Sequence, residues 1–303
     1  MTRKKFLTGL VFLAGMQGWA SQQHAVQGIV IEVNPSKKLI VVSCDAIPGY
    51  MEAMVMPFTV RGPQNLKTFA PGTPVRFNMV ENGSEDYADN LQAVQVTNYE
   101  SEPTEAARLT FLHRALDPAA AAKIVPVGQV VPDFTLVDQA QNTTHLSQFK
   151  GKVVALTFAY SRCPNPNYCF RLSNNLSRLE RRFRSSAGSN LVLMTIVIDP
   201  DQDRGKALEK YADTWKADPA AWRFLTGPIA DVRAIAERFG MNFWNDEGFL
   251  THTFHTIVID REGNLAANLE GNQFSAEQLG DLVEAVMRRS DARSPVSSAS
   301  VVR

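Results

Sequence analysis

The segment that most constrains this chain runs from Val153 to Cys169 and reads VVALTFAYSRCPNPNYC. Its first seven residues are mostly apolar or β-branched, which is typical of a strand buried on both faces of a sheet. A cysteine, a short loop rich in Pro and Asn, and a second cysteine follow, and then a helical pattern begins. Two of the three cysteines in the chain lie here, with five residues between them. We therefore expect a chemical role for this pair.

Strands and helices alternate through residues 131–289, which we interpret as one domain. Strands are predicted to begin at Phe134, Val153, Leu191, Trp222, Thr256 and Leu265, and helices at Asn167, Arg204, Ile229 and Ala276. This alternation predicts a sheet covered by helices. The order of strand, cysteine, loop, cysteine and helix is that of thioredoxin-like folds. The sequence therefore predicts an α/β thioredoxin-like domain here.

Residues 26–100 have a different pattern, made only of strands and turns. Five short strands are predicted to begin at Val26, Leu39, Met56, Val75 and Leu91, separated by turns rich in Pro, Gly and Asn. Five short strands in so few residues predict a small all-β barrel of the OB type. Residues 101–130 are interpreted as a linker that carries one helix from Thr104 to about Leu116.

The two ends of the chain have patterns of their own. Residues 1–20 carry an early basic cluster, a short apolar run and small residues before a cut after Ala20, as in a cleaved signal peptide. Export of this kind predicts a periplasmic protein. Residues 290–303 are rich in serine and are predicted to be a disordered tail. Because Lys plus Arg and Asp plus Glu both number 31, the charge gives no indication of nucleic acid as a partner.

Three interpretations of the cysteine pair remain open from the residues alone. A structural disulfide is compatible with export, and a redox pair or a site for a soft metal would use the same two sulfur atoms. Asn165 is expected to cap the helix, with Pro166 at its first position, so that Cys169 lies in the opening turn. The helix N-terminus should then lower the pKa of the Cys169 thiol.

A soft-metal site also asks for a histidine nearby. His252 and His255 are predicted at the start of the strand Thr256 to Asp260, and that strand neighbours the cysteine strand in a thioredoxin-like sheet. Alternation along a strand puts residues three apart on opposite faces. We therefore expect at most one of the two to point at the thiols. His24, His113 and His145 are interpreted as solvated or structural.

Several motifs between Val131 and Met287 resemble the Sco/SenC copper-assembly family. They are, in order, PDF at 132–134, GKVV at 151–154, FAYSRCP at 158–164, IDP at 198–200 and HTFHTIVID at 252–260. The resemblance implies that copper is bound by Cys163, Cys169 and His252. It also implies that the protein helps to load copper into cytochrome c oxidase. His255 is not the matching histidine, and Asp199 matches a position with a supporting role.

The cysteine loop departs from the usual pattern of that family. Its usual spacing is Cys-x-x-x-Cys, whereas five residues separate Cys163 and Cys169 here, and Phe170 replaces the proline that commonly follows the second cysteine. The resemblance includes a subgroup with this longer Cys-Pro-x-Pro-x-x-Cys loop. Both thiols are thus kept.

A second sulfur-rich stretch lies in the predicted barrel. Met51, Met54 and Met56 fall within six residues, and Met54 and Met56 should face the same side of a strand. Methionine also packs cores well, which is the alternative explanation. The segment from Gly28 to Val96 resembles the CusF-like copper-binding domain, which uses a histidine and two methionines. The resemblance implies that Met54 and Met56 bind copper, with Cys44 in place of the histidine and Tyr50 or Met51 near the position of the capping aromatic residue.

Together these features predict an exported copper chaperone with two soft-metal sites, rather than a turnover enzyme. Its expected partners are the copper subunit of cytochrome c oxidase or another copper acceptor, a thioredoxin-like reductant, and membrane proteins that it contacts peripherally. The alternative is an enzyme, a thiol-disulfide oxidoreductase or a thiol peroxidase, that uses Cys163 and Cys169. In a peroxidase, Arg162 or Arg171 could steady the peroxide.

Overall fold

The computed structural model describes residues 23–63, 65–82, 85–94, 124–246 and 249–293. The predicted signal peptide, the predicted linker helix and the end of the predicted tail lie outside these residues. None of the helices in this part of the chain is long and apolar enough to cross a membrane.

The first described residues form a closed barrel of five strands. The strands are β1 (Gln23–Asn34), β2 (Leu39–Cys44), β3 (Met54–Val60), β4 (Pro74–Asn82) and β5 (Glu85–Ala93), in the order β1-β2-β3-β5-β4. Val30, Ile40 and Phe58 are fully buried inside it. The predicted all-β barrel is confirmed, but its last strand begins at Glu85 rather than Leu91. Acidic residues in this segment obscure the alternation of apolar and polar side chains, although the segment pairs with β4 from Glu85 onward.

The later residues form a sheet of seven strands. These are β6 (Thr135–Asp138), β7 (Thr143–His145), β8 (Val153–Ala159), β9 (Leu191–Val197), β10 (Trp222–Thr226), β13 (His255–Ile259) and β14 (Leu265–Glu270). The order is β14-β13-β8-β9-β10-β6-β7, with β8, β9 and β10 parallel at the centre. Every residue of β8 and β9 is buried. The cysteine strand is therefore central, as the run of apolar residues predicts.

Four helices accompany this sheet, and one hairpin lies outside it. The helices are α1 (Arg171–Arg182), α2 (Lys206–Thr214), α3 (Ile229–Glu237) and α4 (Ala276–Arg293). The hairpin consists of β11 (Phe243–Asp246) and β12 (Phe249–His252), and the sequence analysis does not predict it. The first helix begins later than predicted because the turn Pro166–Phe170 is π-helical, with a non-helical Tyr168. The last helix extends to Arg293, beyond the predicted start of the tail.

The barrel packs against the second sheet and its last helix. Ile29 and Ile31 of β1 point away from the barrel interior and join the hydrophobic cluster that contains α4 and one face of the sheet. The hydroxyl of Ser43 donates to Asp281 on α4 at 2.7 Å. The amide of Gln278, near the start of that helix, donates to Asp45 at 2.9 Å. The end of β2, which carries Cys44, is thereby tied to the start of α4.

Candidate metal centre

The cysteine loop begins where β8 leaves the sheet, and buried polar contacts fix its start. The backbone amide of Ser161 donates to Asp203 at 2.8 Å, and its hydroxyl donates to the other carboxylate oxygen. Asp203 is 1% exposed, and burial raises the pKa of its carboxyl. Next to it, Arg162 forms an ion pair with Asp199. Asp199 thus has a supporting position beside the loop, as the resemblance implies.

We expect the Asp203→Asn variant to unfold with a free energy lower by about 1–2 kcal/mol, because the amide oxygen replaces a carboxylate that accepts two hydrogen bonds. Urea unfolding of the purified protein measures this change. Asp201→Asn is the matched control, since Asp201 is exposed two residues away. Equal losses in the two variants would contradict the role given to Asp203.

Cys169 and His252 are in direct contact. The Cys169 sulfur lies 3.3 Å from Nε2 of His252, and both side chains are buried. Nδ1 of His252 lies 2.9 Å from the Thr253 carbonyl oxygen, so Nδ1 carries the ring proton. The lone pair of Nε2 therefore faces the Cys169 sulfur. A thiol can donate to this nitrogen, and a metal ion could bind to it.

The surroundings of His252 keep its ring neutral. The ring meets Tyr160 and Phe254 edge-on, at centroid distances of 5.9 and 4.8 Å. Burial in this aromatic pocket lowers the pKa of His252 to about 4. A neutral imidazole is the form that binds metals.

The pKa values of the two thiols are displaced in opposite directions, and the prediction of a lowered pKa for Cys169 is wrong. Burial raises the pKa of Cys169 well above its ordinary value. Cys169 lies in a turn with broken helical geometry, so desolvation outweighs any effect of the helix N-terminus. Interaction with the Cys169 side chain lowers the pKa of Cys163 to about 6. Cys163 is also the more exposed of the two, and no disulfide joins them in this structure.

The prediction about the histidine strand needs one correction. His252 is the last residue of β12, and only His255 belongs to β13, which pairs with β8. His255 donates from Nδ1 to Asn268 at 2.9 Å. The distinction between the two histidines holds because His252 is the one that contacts a cysteine.

The three predicted ligands form a row rather than a ring. Cys163 interacts with Cys169, and Cys169 contacts His252. Among the described residues, no three His, Cys, Asp or Glu side chains form a group that could hold a metal ion as they stand. A shared metal would therefore require the Cys163 side chain to turn toward the other two. The chemistry of the three groups fits a soft metal, since thiolates select copper(I) and imidazole also suits copper.

The barrel has its own cluster of sulfur atoms. Cys44 on β2 pairs directly with Met54 on β3, so the two side chains share a face. Cys44 is 1% exposed and Met54 50% exposed, while Met51 and Met56 pack partly buried against the barrel core. Burial, and then the Asp45 charge, raise the pKa of Cys44 to about 12. The thiol of Cys44 and the thioethers of these methionines thus line one end of the barrel.

Sequence reasoning missed several residues that shape the thiol site. Asp203, Thr253 and Phe254 fix the loop and the histidine ring, and Asn272 donates to the Asn167 carbonyl oxygen of the cysteine loop at 2.6 Å. Asp203 could have been suspected, since it is one of three acidic residues that follow β9 at alternate positions. Asn272 gave no signal, because it lies 105 residues from its partner.

Two family models match different parts of the chain. The SCO1/SenC family model matches residues 124–288, and the model of the copper-binding periplasmic protein CusF matches residues 23–92. A protein of Stutzerimonas stutzeri, described as copper-binding, is 25% identical over 143 residues, which cover 47% of this chain and 66% of that relative. The SCO1 protein homolog of Bacillus subtilis is 24% identical over 102 residues, 34% of this chain and 51% of that protein. The chain therefore spans less than two thirds of each relative.

A solved structure with a related shape is Arabidopsis thaliana ScoI with copper bound. It is 18% identical, covers 53% of this chain and 99% of its own, and has a TM-score of 0.46. The SCO1/SenC match extends over more than half of the 303 residues. The chain therefore belongs to the SCO1/SenC family of copper-binding proteins with a thioredoxin-like fold, and it carries a CusF-like barrel ahead of that domain.

Proposed function

We propose that this protein is a copper chaperone that holds copper through Cys163, Cys169 and His252. It delivers the copper to the copper subunit of cytochrome c oxidase or to another acceptor. The observation that carries this proposal is the contact of 3.3 Å between the Cys169 sulfur and the unprotonated Nε2 of His252. A buried sulfur beside a buried, neutral imidazole is a combination that copper prefers.

Each of the three groups has a defined part in this proposal. With a pKa of about 6, Cys163 is mostly a thiolate at neutral pH, so it can capture the ion first. Cys169 then loses its proton as it binds, which makes copper uptake release a proton. His252 needs no proton change at neutral pH. Delivery to the acceptor is an exchange of ligands that starts at the more exposed Cys163.

The barrel provides a second soft-metal site in this proposal, at Cys44, Met54 and Met56. The direct pairing of Cys44 with Met54, and the position of Met56 on the same side of β3, support it. Thioether ligands favour copper(I). Met54 lies half exposed at the barrel end, where an incoming ion can reach it.

The proposed location is the periplasm, after removal of residues 1–20. A thioredoxin-like reductant keeps the two thiols reduced in that oxidising compartment. The oxidase subunit lies in a membrane, so contact with membrane proteins is peripheral.

Copper(I) titration of the full chain under reducing conditions tests both sites. We expect two tightly bound ions in the wild type, and one in the double variant Cys163→Ser/Cys169→Ser. We also expect one in Met54→Leu/Met56→Leu, whereas Met287→Leu, outside both sites, should retain two. An unchanged count in either double variant would remove the corresponding site from the proposal. Transfer to a purified copper domain of the oxidase then tests delivery, and failure of that transfer would remove this acceptor.

A second candidate function, thiol-disulfide exchange, is favoured by the contrast between the two cysteines. Cys163 is partly exposed with a lowered pKa, while Cys169 is buried with a raised pKa. This is the usual division between an attacking and a resolving thiol. A peroxidase is less well supported, because Arg162 pairs with Asp199 and Arg171 donates to the Gln273 carbonyl oxygen.

An insulin-reduction assay and a peroxide-reduction assay, each run with and without bound copper, separate these functions. A chaperone should turn over neither substrate at rates above those of the Cys163→Ser variant. Catalytic turnover that bound copper inhibits would instead favour the enzyme.

A further inference from the structure

An imidazole lies at the sulfur-rich end of the barrel, on a strand that the proposed barrel ligands do not include. His24 is near the start of β1 and alternates with the interior-facing Val26 and Val30. It pairs directly with Met79 on β4, a fully buried interior residue. His24 therefore shares the interior face of the barrel.

The loop between Cys44 and Met54 covers this histidine. Between Cys44 and Met54 the chain turns back on itself, with Ile47 bridged to Met51. Tyr50, at the tip of this loop, stacks on the His24 ring at a centroid distance of 3.7 Å and an angle of 19°. The loop thus connects His24 to the same barrel end that holds the sulfur atoms.

One nitrogen of this ring is buried without a hydrogen bond. Nε2 of His24 is inaccessible to solvent, and it has no hydrogen-bond partner among the described residues. An oxygen of Glu81 lies 3.7 Å from this nitrogen, beyond hydrogen-bond distance. That carboxylate already accepts a hydrogen bond from the Tyr50 hydroxyl. A buried polar atom left in this state is costly unless something binds to it.

We propose that His24 supplies a nitrogen ligand to the copper(I) site of the barrel, together with the methionines of β3. Imidazole nitrogen suits copper, and thioethers select its reduced form. The ion would bind to the lone pair of Nε2, beneath the loop whose Tyr50 already stacks on His24. This inference deepens the proposed barrel site and rests on it.

A merely structural role for His24 makes a different prediction. If His24 served only to pair with Glu81, its loss and the loss of the carboxylate charge would have equal effects. If it served only to stack on Tyr50, a phenyl ring would replace it. The variants His24→Phe and Glu81→Gln separate these roles from metal binding, since only the first removes the nitrogen.

The experiment uses the full chain in the Cys163→Ser/Cys169→Ser background, so that copper binds to the barrel alone. Copper(I) affinity is measured by competition with a chromophoric copper(I) chelator, and X-ray absorption identifies the ligand atoms. We expect His24→Phe to weaken binding at least about 10-fold and to remove the nitrogen scatterer, by analogy with the loss of other ligand-supporting groups. Glu81→Gln should bind within about 2-fold of the background.

Unchanged affinity and an unchanged nitrogen signal in His24→Phe would overturn the inference, as would an equal loss in Glu81→Gln. A Met54→Leu/Met56→Leu arm shows which proposal fails. If that arm loses affinity while His24→Phe does not, only the role of His24 is wrong. If neither arm loses affinity, the barrel site itself is wrong. Loss in both arms supports the two together.

Discussion

Iodoacetamide should alkylate Cys163 at least about 100-fold faster than Cys169 at pH 7. The reagent attacks thiolates. With a pKa of about 6, Cys163 is mostly thiolate at this pH, whereas the raised pKa of Cys169 leaves almost none. The lower nucleophilicity of an acidic thiolate offsets part of this advantage. The burial of Cys169, which is 2% exposed, limits access of the reagent and restores the difference in rate.

Mass spectrometry of timed samples gives the rate at each cysteine. The rate at Cys163 should rise with pH around a midpoint near 6. Cys44 serves as the internal control, because its burial and its pKa of about 12 should leave it unlabelled in the folded protein. Similar rates at Cys163 and Cys169 would contradict the geometry described for the loop.

The stability of the protein should fall by about 3 kcal/mol as the pH drops from 6.5 to 4, through His252 alone. Above pH 6.5 the imidazole is neutral in the folded and unfolded states, so it adds no pH dependence. Between 6.5 and about 4 only the unfolded state binds the proton, so unfolding becomes easier as the pH falls. The figure follows from the interval between the ordinary histidine pKa of 6.5 and the value of about 4 in the folded protein, at about 1.36 kcal/mol for each pH unit.

Urea unfolding of the wild type and His252→Gln across this pH range measures the effect. Other groups titrate as well, so the difference between the two pH profiles is the informative quantity. It should grow as the pH rises from 4 to 6.5 and then level off. His145→Gln is the control, since His145 is exposed on β7 and its replacement leaves the buried ring of His252 in place. Parallel profiles for the wild type and His252→Gln would show that the ring is not buried neutral.

Much of the fold could be predicted because its signals are local. The apolar run of β8 and β9 and the helical spacing after residue 170 lie within short windows of sequence. The hairpin of β11 and β12 was missed because its strands are four residues long and carry polar residues. Tertiary packing, rather than propensity, decides such short strands.

The residue types of the candidate site can be proposed from the sequence, but the pKa values of its thiols cannot. The sequence pointed to Cys169 as the thiol with the lowered pKa, since it follows a helix cap. Only the folded structure shows that this thiol is almost completely buried and that its side chain lowers the pKa of Cys163. Desolvation depends on residues far along the chain, such as His252, which contacts Cys169, and no spacing rule reports it. The free nitrogen of His24 was missed for the same reason.

Ile29 and Ile31 give the barrel a share in the apolar interior of the neighbouring sheet and helix. A truncated chain that begins after residue 124 would expose apolar surface on α4 to water. The barrel expressed on its own would likewise expose the apolar side chains of β1. Such fragments are expected to aggregate, or to associate with each other when both are present. Biochemical experiments on either domain should therefore be carried out with the other domain present.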